Sequence, residues 1–124
     1  NLGRIMSNRL KKLKSKEEIS LLFKDGFNSY HSPFRITYLC KEQEGGVSYF
    51  ISVPKKQFKK AVDRNKIRRQ INEILINKVD LTCLPNNKIN LCISFIGKNK
   101  SHFNELEKNL IEMFHIFIKK QKTQ

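Results

Sequence analysis

The sequence predicts a single α+β domain in which a small sheet carries helices on one face. Three observations lead there. The chain has 124 residues, enough for one domain with one modest core. Three runs alternate apolar and polar residues at the period of a half-buried strand, and three others repeat apolar residues at helical spacing. Their order is helix, strand, strand, helix, strand, helix, which suits a sheet with segregated helices.

Residues 1–14 are rich in Lys and Arg and are expected to form a basic, mobile segment, with Leu10 and Leu13 as its packing residues. Residues 15–120 make up the domain. Ser15-Lys-Glu-Glu18 is a capping box, so a short helix should follow with Ile19, Leu22 and Phe23 on one face. Gly26 is its expected stop. Residues 27–33 read as a loop. Residues 34–40 then alternate, with Phe34, Ile36, Tyr38 and Cys40 on one side, and residues 47–53 do the same with Val47, Tyr49, Ile51 and Val53. The Gly45-Gly46 turn between them makes the pair read as a hairpin.

Pro54 ends that second strand, and a lysine-rich loop leads into a helix reaching about Lys78. Residues 80–88 are an expected loop. Residues 89–96 form a third strand, strongly apolar through Ile89, Leu91, Ile93 and Phe95. After a turn at residues 97–100, Ser101 is the expected cap of a last helix. Its Phe103, Leu106, Leu110, Met113, Phe114 and Phe117 recur at helical spacing and read as core. The opposite sheet face carries Thr37, Ser48, Ser52, Asn90 and Ser94, and so is expected to be partly open, with Phe50 as the apolar exception.

The stretch from Lys55 to Arg69 organises the chain. It holds eight basic residues (Lys55, Lys56, Lys59, Lys60, Arg64, Lys66, Arg68 and Arg69) against one acid, Asp63. At about 100° per residue, Ile67, Ile71, Ile74 and Leu75 fall on one arc of the helix, and Asn65, Arg68 and Arg69 on the other. One face can anchor in a core while the other offers guanidinium forks and an amide, groups that match phosphate oxygens.

Composition points the same way. The formal net charge is +14, with 39% apolar and 10% aromatic residues. That is too apolar for a disordered basic tail, and a surplus of this size calls for an acidic partner, most commonly nucleic acid. No apolar run is long enough to span a bilayer. Cys40, Cys83 and Cys92 are odd in number and show no ligand spacing, which suits a reduced, cytoplasmic protein without zinc. The eleven acids are scattered, and His31, His102 and His115 have no partner suggested by spacing. A protein-borne nuclease would need clustered carboxylates or a His pair, so no catalytic residue is assigned.

These residues resemble a known family. Arg64-Asn-Lys-Ile-Arg-Arg69 is similar to the signature of the bacterial ribonuclease P protein subunit, R-N-R-x-K-R. It follows Ser52-Val-Pro-Lys-Lys56 and Ala61-Val62 as in that family. Asn8-Arg-Leu-Lys-Lys12 and Leu22-Phe-Lys-Asp-Gly26 match as well, so the resemblance spans nearly the whole chain.

The resemblance implies a single-domain α/β sandwich, ribosomal-protein-S5-domain-2-like, with a left-handed crossover into the signature helix. It implies a protein that binds a catalytic RNA and the 5′ leader of precursor tRNA, with the RNA subunit and its Mg²⁺ ions performing the hydrolysis and no further protein partner required. By the same implication Lys55, Lys56, Arg64, Asn65, Lys66, Arg68 and Arg69 contact RNA, with Lys59 and Lys60 beside them. Phe23 lines the leader cleft. Ile19 stands where a second cleft aromatic is common, and Tyr38 fits either that cleft or the core. Two further departures are Lys66 and Arg68, which exchange the usual Arg and Lys, and Phe95-Ile-Gly97, which lacks the usual basic residue that Lys98 or Lys100 could replace. The runner-up is a structural RNA-binding protein on a similar fold, which needs no aromatic cleft.

Overall fold

The computed structural model describes residues 10–56, 58–79, 87–97 and 103–122. In chain order these form β1 (Leu10–Lys12), α1 (Lys16–Asp25), β2 (Phe27–His31), β3 (Phe34–Glu44), β4 (Val47–Ser52), α2 (Ala61–Lys78), β5 (Asn87–Phe95) and α3 (Phe103–Lys122). The start of the basic segment, the loop over 80–86, Lys98, Lys100 and the Ser101 cap lie outside the described residues.

Five strands form one sheet in the order β1-β4-β5-β3-β2. The mixed α+β architecture is as the sequence predicts. Leu10–Lys12, within the segment expected to be mobile, is instead the edge strand β1, paired parallel with β4, and the rest of the arrangement differs in three ways. First, residues 34–40 and 47–53 are not a hairpin, because β5 lies between β3 and β4, antiparallel to the former and parallel to the latter. The reason is burial. Ile89, Leu91, Ile93 and Phe95 on one side of β5 and Asn90, Cys92 and Ser94 on the other are all shielded from solvent. Only a central position covers both faces of a strand.

Second, the expected loop over 27–33 is β2 and a tight turn. β2 pairs with β3 from Phe27↔Tyr38 to His31↔Phe34. The Phe-Asn-Ser-Tyr-His segment has little apolar patterning, so its strand state comes from the edge it completes rather than from propensity.

Third, helices cover both faces. α2 and α3 bury Ile67, Ile71, Ile74, Leu75, Leu106, Leu110, Met113, Phe114 and Phe117 against Phe34, Ile36, Tyr49, Leu91 and their neighbours. This is the main core, and its α3 members are those expected from spacing. α1 lies on the opposite face, where Leu22 packs with Leu13 and Cys92, flanked by Ile19, Leu39 and Phe50.

The ends of α1 follow the expected chemistry with two refinements. Ser15 Oγ accepts from the Glu18 N–H at 3.4 Å. The Glu18 carboxylate, instead of closing the box, takes Lys88 Nζ at 3.1 Å and ties the helix start to β5. Gly26 ends the helix with its N–H on the Leu22 carbonyl at 2.9 Å. Its φ of −73° is ordinary, so glycine is required for space. A Cβ there would stand 2.2 Å from the Leu22 oxygen and 3.0 Å from that of Tyr38.

Candidate nucleic-acid interface

The basic stretch leaves the end of β4 and is pinned by one aromatic. Phe58, buried between the lysine pairs, packs on Phe95 with ring centroids 5.7 Å apart, so the loop hangs from the core while Lys55, Lys56, Lys59 and Lys60 stay exposed. α2 then begins with Lys60 as its N-cap and no side-chain cap bond. The positive end of the helix dipole therefore lies among these lysines.

On α2, Asn65, Lys66 and Arg69 are exposed and Arg68 is half-buried. Arg68 Nη2 donates to Asn65 Oδ1, one turn apart, so the two side chains form a single polar unit. Arg64 is used differently. Its Nη1 donates to the carbonyls of Phe58 at 2.7 Å and Lys59 at 3.0 Å. One arm of that guanidinium therefore shapes the loop that carries the lysines.

A second feature lies on the α1 face of the sheet. Phe23 is 51% exposed and meets Phe50 edge-on, with centroids 5.9 Å apart and planes at 78°. Ile19 is half-buried beside them. Tyr38 is not part of this surface. It points to the other face, where its ring meets Phe117 edge-on with centroids 4.9 Å apart and lies tilted against Phe27 at 5.9 Å. The period of two decides this, because Thr37, not Tyr38, shares the side of Phe50's neighbour Cys92.

Sequence reasoning noted Phe50 as an exception without assigning it a role, and its departure from the polar pattern was the available signal. Arg35 was missed as well. It lies on the α1 face, in register with Ser94 and, through it, Ser52. Its buried Nε has no hydrogen-bond partner among the described residues. The positive charge of Arg35 and the Ser94 hydroxyl, 3.5 Å away, both favour the Cys92 thiolate, yet burial wins and raises the thiol pKa.

Other chemistry is sparse among the described residues. His31 Nε2 meets Glu112 Oε2 at 3.3 Å, joining β2 to α3 on the face opposite Phe23. No three His, Cys, Asp or Glu side chains gather in a way that could hold a metal ion, and no helix is long and apolar enough to cross a membrane. Cys83 and His102 lie outside the described residues.

The family model for Ribonuclease P matches residues 7–118. Among solved structures, the RNase P protein of Staphylococcus aureus is 22% identical with a TM-score of 0.66, over 86% of this chain and 94% of that one. The RNase P protein from Thermotoga maritima is 19% identical with a TM-score of 0.67, over 83% of this chain and 94% of that one. At these identities the likeness is one of fold. No curated protein matches the chain.

Proposed function

The chain belongs to the ribonuclease P protein family, and on that premise we propose that it binds the catalytic RNA and guides the single-stranded 5′ leader of precursor tRNA for endonucleolytic removal. The observation that carries this reading is the continuity of two surfaces. β4 brings Phe50 to the edge of Phe23 and then runs directly into Lys55 and the basic helix.

Each surface suits one kind of contact. Lys55, Lys56, Lys59, Lys60, Lys66, Arg68 and Arg69 supply positive charge for RNA phosphates, the component of binding that salt weakens. Phe23 and Phe50 offer aromatic edges and faces on which bases stack whatever their identity, as a leader of variable sequence requires. Arg35 adds a cation on the same face. A purely structural RNA-binding protein would have no need of an exposed Phe23 set against the half-buried Phe50.

The reaction needs Mg²⁺, and the chemistry of these surfaces does not fit a protein-held cation. They carry basic and aromatic groups, so the ions belong to the RNA subunit and the substrate. The protein's work is to position two polyanions without contributing a nucleophile or base. A cytoplasmic location fits this reading, because precursor tRNA is made there.

The test is reconstitution at low Mg²⁺ with a bacterial ribonuclease P RNA and 5′-labelled precursor tRNA. Release of an intact leader that depends on both protein and RNA is expected. RNA binding without stimulation of cleavage would favour a structural role, and cleavage by protein alone would overturn both.

A further inference from the structure

Among the described residues the sheet has two edges, β1 and β2, and they are defended differently. An edge strand offers unpaired N–H and C=O groups to any other strand, and charge, above all lysine, is the usual defence. β1 has it, because two of its three residues are the exposed Lys11 and Lys12. β2 does not. Residues 26–34 hold no Lys, Arg, Asp or Glu, in a chain with 25 Lys and Arg. The same freedom from charge marks residues 45–54 and 89–97, which cover β4 and most of β5, strands paired on both sides. β2 therefore has the composition of an interior strand at the margin of the sheet.

Its side chains add to this. Phe27 is 63% and Tyr30 67% exposed, and by alternation they stand on opposite faces. Phe27 lies against Tyr38 on the α3 face, and Tyr30 shares the α1 face with Arg35, its register partner. Each face of the sheet thus ends in an exposed ring.

We propose that β2 pairs antiparallel with β2 of a second copy of this chain, joining two five-stranded sheets into one. The strand is its own complement. Centred on Ser29, the pairing sets Phe27 of one copy opposite His31 of the other, and Asn28 opposite Tyr30, each twice. A slip by two residues either way would bring Pro33 or the end of α1 into the ladder.

Charge selects this occupant. A partner bringing charge to this edge would find no counter-charge on β2, and an acidic partner would be drawn to the basic stretch instead. The pairing also keeps the two basic stretches apart. β4, from which residues 55–69 continue, lies three strands in from the β2 edge. The β4 strands of the two copies are then seven strand spacings apart, about 34 Å, which is several Debye lengths at about 0.1 M salt. Because β1 is charged, each copy offers one such edge, and association closes at two. Neither α2 nor the Phe23–Phe50 surface takes part, so the pairing is compatible with RNA binding and does not rest on it.

The experiment uses the full chain freed of nucleic acid, its mass followed by light scattering over a protein concentration series at several salt concentrations. A monomer–dimer equilibrium is expected. The dimer should strengthen between about 0.01 M and about 0.1 M salt, as the Debye length falls from about 30 Å to about 10 Å. That is opposite in sign to any association bridged by a polyanion. Ser29→Lys sets like charges face to face and should raise the dissociation constant about five-fold. Tyr30→Lys, at a more exposed position, should act in the same direction, and both variants are checked for a wild-type thermal midpoint. On oxidation, Ser29→Cys should form a disulfide between two copies of residue 29, which face each other at a Cα separation of about 4.5–5.5 Å.

A chain that stays monomeric at every salt concentration would overturn the second copy as occupant, even if a free Phe-Asn-Ser-Tyr-His peptide slowed exchange of the β2 amides. A dimer that salt dissolves, or that ignores both lysine variants, would place the contact elsewhere and overturn the proposal as well. So would cross-linking through the native cysteines but not through residue 29.

Discussion

The Phe23 ring stands edge-on to Phe50, 5.9 Å between centroids, joining the exposed side of α1 to the floor of the sheet. Such a pair contributes about 0.5–1.5 kcal/mol beyond its buried area. Phe23→Ala and Phe50→Ala should each weaken holoenzyme affinity for precursor tRNA several-fold while sparing mature tRNA. Equal losses for both RNAs would remove the pair from the leader path.

Arg64 should behave as a loop-positioning residue. Arg64→Lys keeps the charge but loses the fork whose nitrogen reaches the Phe58 and Lys59 carbonyls. Faster amide exchange over residues 58–63 and weaker RNA binding at an unchanged salt slope are expected. A reduced slope with unchanged exchange would make Arg64 a direct phosphate contact instead.

Arg69, exposed on the helix, and Arg68 should act through charge. Alanine at either should flatten the salt dependence of RNA binding by about one unit per lost phosphate contact. An unaltered slope would place them outside the interface.

Leu22 is fully buried and is the main anchor of α1 on its sheet face. Leu22→Ala should cost about 2–5 kcal/mol, read as a lower urea midpoint. A loss near zero would show that α1 is held by its ends, through Lys88 and Gly26.

Tyr49 links stability to alkaline pH. Burial holds its pKa above the ordinary 10.0, so the folded state resists losing this proton more than the unfolded chain does. The contribution is complete below that ordinary value and is lost as pH rises through the folded one. The wild type should therefore lose thermal stability above pH 10.0 more steeply than Tyr49→Phe. Parallel curves would show that another group controls the alkaline limb.

Much of this molecule was legible in its sequence because the signals are local. The Ser15 cap, the Gly26 stop, the two faces of α2 and the apolar spacing of α3 depend on residues within a few turns of one another. The signature at Arg64–Arg69 is likewise one contiguous run. Phe58 was harder to see, because an apolar residue among lysines reveals its anchoring role only when Phe95 is placed beside it.

What only the tertiary structure decided is which elements become neighbours. Alternation assigns the faces of a strand but not its partner, so a turn at Gly45-Gly46 suggested a hairpin that β5 divides by burying both its own faces. The same limit explains Tyr38. Its place in the alternation was plain, but which side faced the helices of the core and which faced α1 depended on long-range packing. Arg64 shows it at the scale of one side chain: its charge was evident from sequence, while its bonds to Phe58 and Lys59 required the loop to fold back on the helix. Sequence determined the chemistry each element could offer, and non-local burial determined where that chemistry was brought together.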